Sequence, residues 1–311
     1  MRLGLCCLFK KEPVSFRTTT AKSLLALPRD QQFQKLSEIC FDNATNLYLA
    51  LETVHRLGIG AFRIMSPFFP RMTHPAVGYR LEDLPEGKNI SQKLAASRSF
   101  ARKNDIRLSF HPDQFVVLSS PHSQVVANSI RELEYHGMLA DAVGADVINI
   151  HAGGVYGDKS QALQRLNDVL PYLSVAVRKR LTLENDDVSY TPMDLLSFCE
   201  RLSIPLVYDV HHHRCNPDGL SVVQATTIAE KSWQAVGRQP YFHISSPRNG
   251  WQGGDPKPHA DYIDPADFPA CWLGREMTVD VEAKAKELAV TRLMAELKNR
   301  PDAPVLLKSA S

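Results

Sequence analysis

The sequence lacks long hydrophobic runs, paired cysteine motifs and any large net charge. A membrane-crossing helix needs about 20 consecutive apolar residues, so the first absence argues against a membrane span. The six cysteines show no CxxC spacing, which excludes a zinc ribbon and a disulfide framework. The short apolar start, interrupted by Lys10 and Lys11, does not have the form of a secretory signal. We therefore expect a reduced, cytoplasmic protein that does not bind membranes.

The formal net charge of +2 does not by itself indicate a nucleic-acid partner, but the positions of the basic residues are informative. Several follow the first, second and seventh apparent strands, namely Lys10, Lys11, Arg17, Lys22, Arg71, Arg248 and Lys257. In a barrel these loops would surround one mouth, and their charges would attract a polyanion there. For any single residue, a solvated loop charge is an equally good interpretation.

Six short apolar segments each end in a residue that can bind a metal ion. These residues are His111, His151, Glu184, Asp209, His243 and Glu282. Successive ones are about 25 to 40 positions apart, the length of one strand-plus-helix unit. Parallel strands bring their carboxyl ends to the same side, where barrel enzymes carry their chemistry. The pattern therefore predicts that the six side chains converge.

The alternation of strands and helices predicts the α/β class and a single (β/α)₈ TIM barrel over residues 1–311. Helical periodicity predicts helices at 31–56, 88–103, 123–143, 160–178, 192–202, 222–236 and 283–297. Long irregular loops are predicted at 10–28, 66–87 and 245–264. No internal linker is evident, and we expect residues 297–311 to form a peripheral tail.

Together with His212 and His259, the strand-end residues make eight candidate ligands. One ion that keeps a position for water or substrate cannot use so many, so two or three divalent ions are predicted. Imidazoles mixed with carboxylates suit zinc or manganese better than calcium or magnesium. Clustered ions favour phosphodiester cleavage by an activated hydroxide, with Glu184 as the bridging carboxylate. A metal-dependent isomerase of sugars or other small molecules is the alternative, although it would normally use fewer ligands and mostly carboxylates.

Five short motifs resemble the UV damage endonuclease family. They are SFHPDQF at 109–115, LEND at 183–186, DVHH at 209–212, HISSP at 243–247 and VEAK at 281–284. The likeness covers nearly the whole chain in the family's motif order. The resemblance implies a barrel that is distantly related to endonuclease IV. It also implies that this protein incises damaged double-stranded DNA. The incision would lie on the 5′ side of cyclobutane dimers, 6-4 photoproducts and some abasic sites.

The resemblance also implies how the ligands divide among up to three divalent ions. His111, His151 and Glu184 would hold one ion, and a second would lie among Glu184, Asp209, His243 and Glu282. His212 and His259 would hold the third. Manganese is the expected metal, with zinc or magnesium as alternatives. Glu184, His111, His151, Asp209 and Glu282 are accordingly the expected catalytic residues.

Gln114 and Phe115 match a pair that the family inserts into the duplex at the lesion. An amide and an aromatic ring can replace the stacking that is lost when damaged bases leave the helix. The alternative for Phe115 is a core aromatic beside Val116 and Val117. His74 is expected to contact the phosphate or the lesion. The other expected DNA contacts are Leu5, Asn185, Tyr241, Arg248 and Lys257.

Four positions depart from the family pattern. Asp113 stands where the family often has a small residue and Phe115 where a tyrosine is common, and both changes are expected to be tolerated; the other two are Leu5 and Tyr241. Leu5 stands where some members have a tyrosine near the lesion. Tyr241 replaces a lysine that is carboxylated in some members, and a tyrosine cannot form a carbamate. This substitution motivates a third hypothesis, a damage-binding protein with impaired cleavage. We expect a monomer with no obligate protein partner.

Overall fold

Eight parallel strands form the centre of the fold in residues 1–299, the part of the chain that this computed structural model describes. They are β1 Arg2–Cys6, β2 Ala61–Ile64, β3 Arg107–Phe110, β4 Val147–His151, β5 Leu181–Glu184, β6 Leu206–Val207, β7 Tyr241–Ile244 and β8 Thr278–Val281. The strands lie in the order β6-β5-β4-β3-β2-β1-β8-β7, and a backbone bridge between Asp209 and His243 joins the two ends. The sheet is therefore a nearly closed barrel, which confirms the predicted fold class.

Helices follow the strands and cover the outside of the barrel. Within residues 1–299 they are α1 Ala21–Leu25, α2 Arg29–Arg56, α3 Gly87–Lys103, α4 Ser123–Val143, α5 Lys159–Val169, α6 Val175–Arg178, α7 Pro192–Leu202, α8 Val210–Cys215, α9 Val222–Gln234 and α10 Glu287–Lys298. Two helices have the predicted bounds, α4 and α7. Gly144 ends α4 at a φ of 78°, a conformation that glycine adopts without strain, and the Thr191 side chain caps the start of α7.

The prediction of one helix over 160–178 is wrong. Pro171 has no backbone N–H, and the chain tightens there into a 3₁₀ turn, Leu170–Tyr172, before α6 begins. The helix predicted from 283 begins only at Glu287, because Lys286 has a φ of 56° that no right-handed helix can contain.

Two helices were not predicted from the sequence. The loop predicted at 10–28 contains α1, where Thr20 accepts a hydrogen bond from the Ser23 N–H at 3.1 Å. Helix α8 follows β6, where the Asp209 side chain accepts from the His212 N–H at 2.8 Å. Asp209 is thus both the N-cap of α8 and a candidate ligand. The capping hydrogen bond fixes the orientation of its side chain.

The inside of the barrel depends on close strand packing. Gly4 on β1 pairs with Asp280 on β8, and a Cβ at position 4 would lie 2.0 Å from the Asp280 Oδ1 atom. Only glycine leaves room for that carboxylate. All six cysteines are free.

Within residues 1–299, none of the helices combines the length and apolar character that a membrane crossing requires. Most of the predicted tail, from residue 300 onward, lies outside the described residues.

Candidate metal centre

The candidate ligands lie where the strands end. His151 and Glu184 are the last residues of β4 and β5 and are paired in the sheet. His111 follows β3, and Glu282 follows β8. Because the strands are parallel, these side chains meet at the carboxyl end of the barrel, as their positions in the sequence predict.

Glu184 is the centre of the arrangement, with only 1% of its surface exposed. Its Oε2 atom lies 2.9 Å from His111 Nε2 and 4.0 Å from His151 Nε2. Its Oε1 atom lies 3.0 Å from His243 Nδ1 and 3.3 Å from His212 Nδ1. One carboxylate thus contacts imidazoles from four different parts of the chain.

Asp209 lies beside this carboxylate and is fully buried. Its backbone exchanges hydrogen bonds with the Asn185 side chain at 2.9 and 3.0 Å. Its Oδ2 atom lies 3.6 Å from His212 Nδ1, yet has no hydrogen-bond partner in the described part of the chain. A buried carboxylate oxygen without a partner costs free energy, and a bound cation would satisfy it.

Five of the residues form two triads, each with ligand atoms within 4.8 Å of one another. One triad is His111, Glu184 and His243, and the other is Glu184, Asp209 and His212. We call these five residues the Glu184 cluster. The mixed nitrogen and oxygen atoms fit a divalent cation such as zinc or manganese, and Glu184 is common to both triads.

Glu282 and His259 lie at the edge of the cluster, in neither of these two triads. Glu282 Oε1 is 3.5 Å from His243 Nδ1, and Glu282 Oε2 is 3.7 Å from His259 Nδ1. The His259 side chain is 28% exposed and that of His151 is 30% exposed. The structure therefore brings together all eight predicted ligands, but with five in close contact and three at the periphery.

Opposite charges stabilise one another within the cluster. Burial alone would favour the neutral Glu184 carboxyl, but the neighbouring imidazoles, first His243 and His151, hold its pKa well below the usual range. Burial also opposes the charged form of His212, but Asp209 and Glu184 outweigh it and raise the pKa of that imidazole well above its ordinary value. For Glu282, burial is outweighed by Arg63 and His243, which lower the pKa of the carboxyl. All three groups are thus held in their charged forms.

A polar layer lies directly below the ligands, two residues earlier on the same strands. Residues two apart on a strand face the same way, so this layer also points into the barrel. Asn149 donates to Glu184 Oε2 and accepts from the Thr182 hydroxyl at 2.9 Å. Tyr241 contacts the Ser109 hydroxyl at 2.6 Å and donates to Asp280. We did not identify this layer from the sequence, although a polar residue stands two positions before every strand-end ligand except Asp209, which Val207 precedes.

Arg63 is a second residue that the sequence analysis missed. It lies on β2 at 7% exposure and contacts Glu282, His243 and Asp280. A charged residue inside the short buried strand Ala61–Ile64 is itself unusual and could have indicated a role.

The predicted inserting pair lies on the turn that follows β3, residues 113–116, which we call the Gln114 turn. Phe115 is 77% exposed, whereas Val116 is buried and anchors the turn. The core alternative for Phe115 is therefore wrong. A cavity of about 310 Å³ lies between this turn and the cluster and is lined by Gln114, His151 and His212.

Three other predicted DNA contacts are at the mouth. His74 lines a cavity of about 630 Å³, which also borders Asp113. Arg248 is exposed, and Lys257 Nζ lies 3.6 Å from an Asp187 carboxylate oxygen with its side chain 42% exposed.

Leu5, Asn185 and Tyr241 are buried, in contrast to the prediction that they contact DNA. Their exposed fractions are 0%, 0% and 1%. Tyr241 lies two residues deeper in the barrel than His243, and Asn185 is fixed against Asp209. A duplex cannot reach these side chains in this arrangement, so the prediction is corrected for all three.

Comparison with known proteins shows similarity to one protein family over nearly the full length of the chain. The family model described as UV-endonuclease UvdE matches residues 1–310. A protein named UV DNA damage endonuclease from Bacillus velezensis is 36% identical over 301 residues, which cover 94% of this chain and 91% of that protein. One of the same name from Bacillus cereus (strain G9842) is 31% identical over 290 residues, covering 90% and 89%.

Several solved structures have a fold similar to that of this chain. The crystal structure of SacUVDE has a TM-score of 0.84 at 29% identity, covering 96% of this chain and 98% of that one. Endonuclease IV from Thermus thermophilus has a TM-score of 0.61 at 15% identity over 96% and 100% of the two chains. D-psicose 3-epimerase from Clostridium cellulolyticum has a TM-score of 0.55 at 12% identity, covering 96% of this chain and 97% of that one. The last two share the fold alone. The match over residues 1–310, with relatives above 30% identity, shows that this chain belongs to the UV-endonuclease UvdE family.

Proposed function

We propose that this protein is a cation-dependent DNA repair endonuclease that nicks the phosphodiester on the 5′ side of UV photoproducts, with abasic sites as a further substrate. One observation carries the proposal: a single cavity is lined by Gln114 of the exposed turn, by the peripheral candidate ligand His151 and by His212 of the Glu184 cluster. A phosphodiester in that cavity would lie between a group suited to entering a duplex and groups suited to binding cations. We also propose that residues 1–299 act as one domain, since all eight strands belong to one sheet.

The two triads divide the residues differently from the family resemblance, which places His111 with His151 and His212 with His259. In this proposal His111 and His243 would bind one divalent cation and Asp209 and His212 another, and Glu184 would contribute to both. His151, Glu282 and His259 would complete the shells from the periphery or hold a third. Bound cations, manganese above all, would supply Lewis-acid stabilisation of the phosphodiester oxygens and activate water at neutral pH. Asn149 holds the shared Glu184 carboxylate in place, and Asn185 holds Asp209.

The mouth residues would bind and distort the DNA. Phe115 and Gln114 would fill the gap that the damaged bases leave, because damaged steps cost the least free energy to unstack. Arg248, Lys257 and His74 would contact phosphates, which fixes the register of the duplex without reading its sequence.

The two alternatives receive less support. An isomerase is suggested only by fold similarity to epimerases at 12% identity, and an isomerase has no evident use for an exposed Phe115. A damage-binding protein without cleavage was suggested by Tyr241. The Tyr241 hydroxyl contacts Ser109 and Asp280, however, and both cation triads form from other residues. The monomeric state and the cytoplasmic location stay predictions.

Nicking of supercoiled plasmid tests the proposal. We expect relaxation of UV-irradiated plasmid with manganese, little relaxation of untreated plasmid, and none of either with a chelator. Sequencing gels of a duplex with one dimer would show a cut on its 5′ side. Equal nicking of both plasmids would contradict lesion specificity, and binding without nicking would favour the damage-binding alternative.

A further inference from the structure

Arg63 makes three side-chain contacts below the cluster, one from each guanidinium nitrogen. Nη1 donates to Glu282 Oε1 at 2.6 Å, Nη2 donates to His243 Nε2 at 2.8 Å, and Nε donates to Asp280 Oδ2 at 2.9 Å. The side chain is 8% exposed. A planar fork of donors in fixed geometry is specific to arginine, since lysine offers only a point charge.

The acceptor Asp280 is arranged to hold this guanidinium. It is fully buried on β8, and its Oδ2 atom also accepts from the Tyr241 hydroxyl and faces Cys6 Sγ at 3.7 Å. The absence of a Cβ at Gly4 provides the space for its other oxygen. Asp280 belongs to neither cation triad, so its evident partner is Arg63.

We propose that Arg63, anchored by Asp280, is a positioning residue that selects which oxygen of Glu282 faces the cation site. Because Arg63 occupies Glu282 Oε1, the other oxygen is left toward His259, at 3.7 Å. The third contact of Arg63, to His243 Nε2, places the proton of that imidazole on Nδ1 in the metal-free protein, where it faces Glu184 Oε1 at 3.0 Å. This inference rests on the proposed function, since it assumes that the site binds cations.

Titration of the metal-free protein with Mn²⁺ tests this role without any measurement of activity. Loss of a residue that orients a ligand typically weakens metal binding about 10- to 100-fold. We expect that loss, or one fewer Mn²⁺ per chain, in Arg63→Met by isothermal titration calorimetry. Arg63→Lys should recover only part of the affinity, because lysine cannot contact all three acceptors at once.

Arg107→Met is the matched control. Arg107 is also a buried barrel arginine, but it lies at the start of β3 and contacts Asp146, the Pro240 carbonyl and Thr278. Its loss should lower the melting temperature and leave Mn²⁺ binding unchanged. A purely structural role of Arg63 would give the same result as this control.

Wild-type Mn²⁺ affinity and stoichiometry in folded Arg63→Met would overturn the inference. If that variant does not fold, Asp280→Asn removes the negative charge of the anchor without changing side-chain size, and we expect about 10-fold weaker binding. Unchanged binding there would equally overturn the inference. A wild-type protein that binds no Mn²⁺ would contradict the proposed function, and the role of Arg63 with it.

Discussion

The Glu184 cluster and the Gln114 turn lie at the same end of the barrel but are built in opposite ways. Glu184, Asp209 and His243 have at most 1% of their surface exposed and are held from several strands. Phe115 is 77% exposed, and its backbone N–H donates to the Asp113 carboxylate two residues earlier, at 3.3 Å. A buried ion-pair network keeps its geometry, whereas an exposed turn with local contacts can adapt to a partner.

This difference suggests that the Glu184 cluster and the Gln114 turn have separate roles. Substitutions in the cluster should change the rate of cleavage and leave DNA affinity largely intact. Substitutions on the turn should change the preference for damaged DNA and leave the cation site intact. The predictions below test whether the two regions are independent.

Glu184→Gln should have the largest effect. The amide keeps the shape of the side chain but removes the charge common to both triads. Cleavage should fall by more than the roughly 10²- to 10³-fold typical of losing one electrostatic contact to a transition state. Nicking assays of UV-irradiated plasmid measure the rate, and gel shifts of a damaged duplex should show affinity close to that of wild type.

The matched control is Asp146→Asn. Asp146 is an acidic residue that pairs with Arg107 before β4, at the opposite end of the barrel. It should retain nearly full cleavage. Retained cleavage in Glu184→Gln would contradict the shared-ligand role, and a large loss of DNA affinity would contradict the independence of the two regions.

Phe115→Ala should have an intermediate effect. Stacking of an aromatic side chain on a base contributes about 1–3 kcal/mol, so affinity for damaged duplex should fall at least about five-fold. Affinity for undamaged duplex should change less, and Mn²⁺ binding should not change. Gln114→Ala should act in the same direction. Fluorescence anisotropy with a dimer-containing duplex and its undamaged counterpart measures both affinities.

Tyr172→Ala provides the control for exposure. Tyr172 is 76% exposed, nearly the same as Phe115, but lies in the turn between α5 and α6. Its removal should leave both affinities unchanged. Discrimination that survives in Phe115→Ala would exclude the inserting role.

The sequence was sufficient to predict the barrel and the convergence of the candidate ligands, because both depend on local patterns. An apolar strand that ends in an imidazole or a carboxylate can be recognised from the sequence alone, as at His151 and Glu184. Because parallel strands all end on one side, convergence follows without any knowledge of the tertiary contacts.

The sequence carries a signal for the polar residues below the ligands, but their contacts could not be predicted, because these depend on which strands are neighbours and in what register. Gly4 faces Asp280 only through the pairing of the first strand with the last. The depth of Tyr241 in the barrel was also not predicted. Tyr241 shares a face with His243 but lies one layer further into the barrel. A residue's distance from the mouth is therefore as important as the direction of its side chain.

The smallest expected effect concerns the stability of the metal-free protein. The pKa of Glu184 is lowered from 4.5, so its contribution to stability is present above about pH 4.5 and is lost as the pH falls through the folded value. The pKa of His212 is raised from 6.5, so its contribution is present below about pH 6.5 and is lost as the pH rises through the folded value. The pair should therefore stabilise the protein most between these limits.

Thermal melts of wild type and Glu184→Gln in chelator, from acid to alkaline pH, measure this contribution. The difference in melting temperature should be largest near pH 6 and should amount to a few degrees, since about 1 kcal/mol shifts a large domain by roughly 2–4 °C. Phe115→Ala should show no such pH dependence, because Phe115 is 77% exposed on the Gln114 turn and does not belong to the Glu184 cluster. A constant difference across the pH range would mean that Glu184 and its imidazoles are not a coupled ion pair in the absence of cations, and the cluster would then owe its geometry to the polar layer below it.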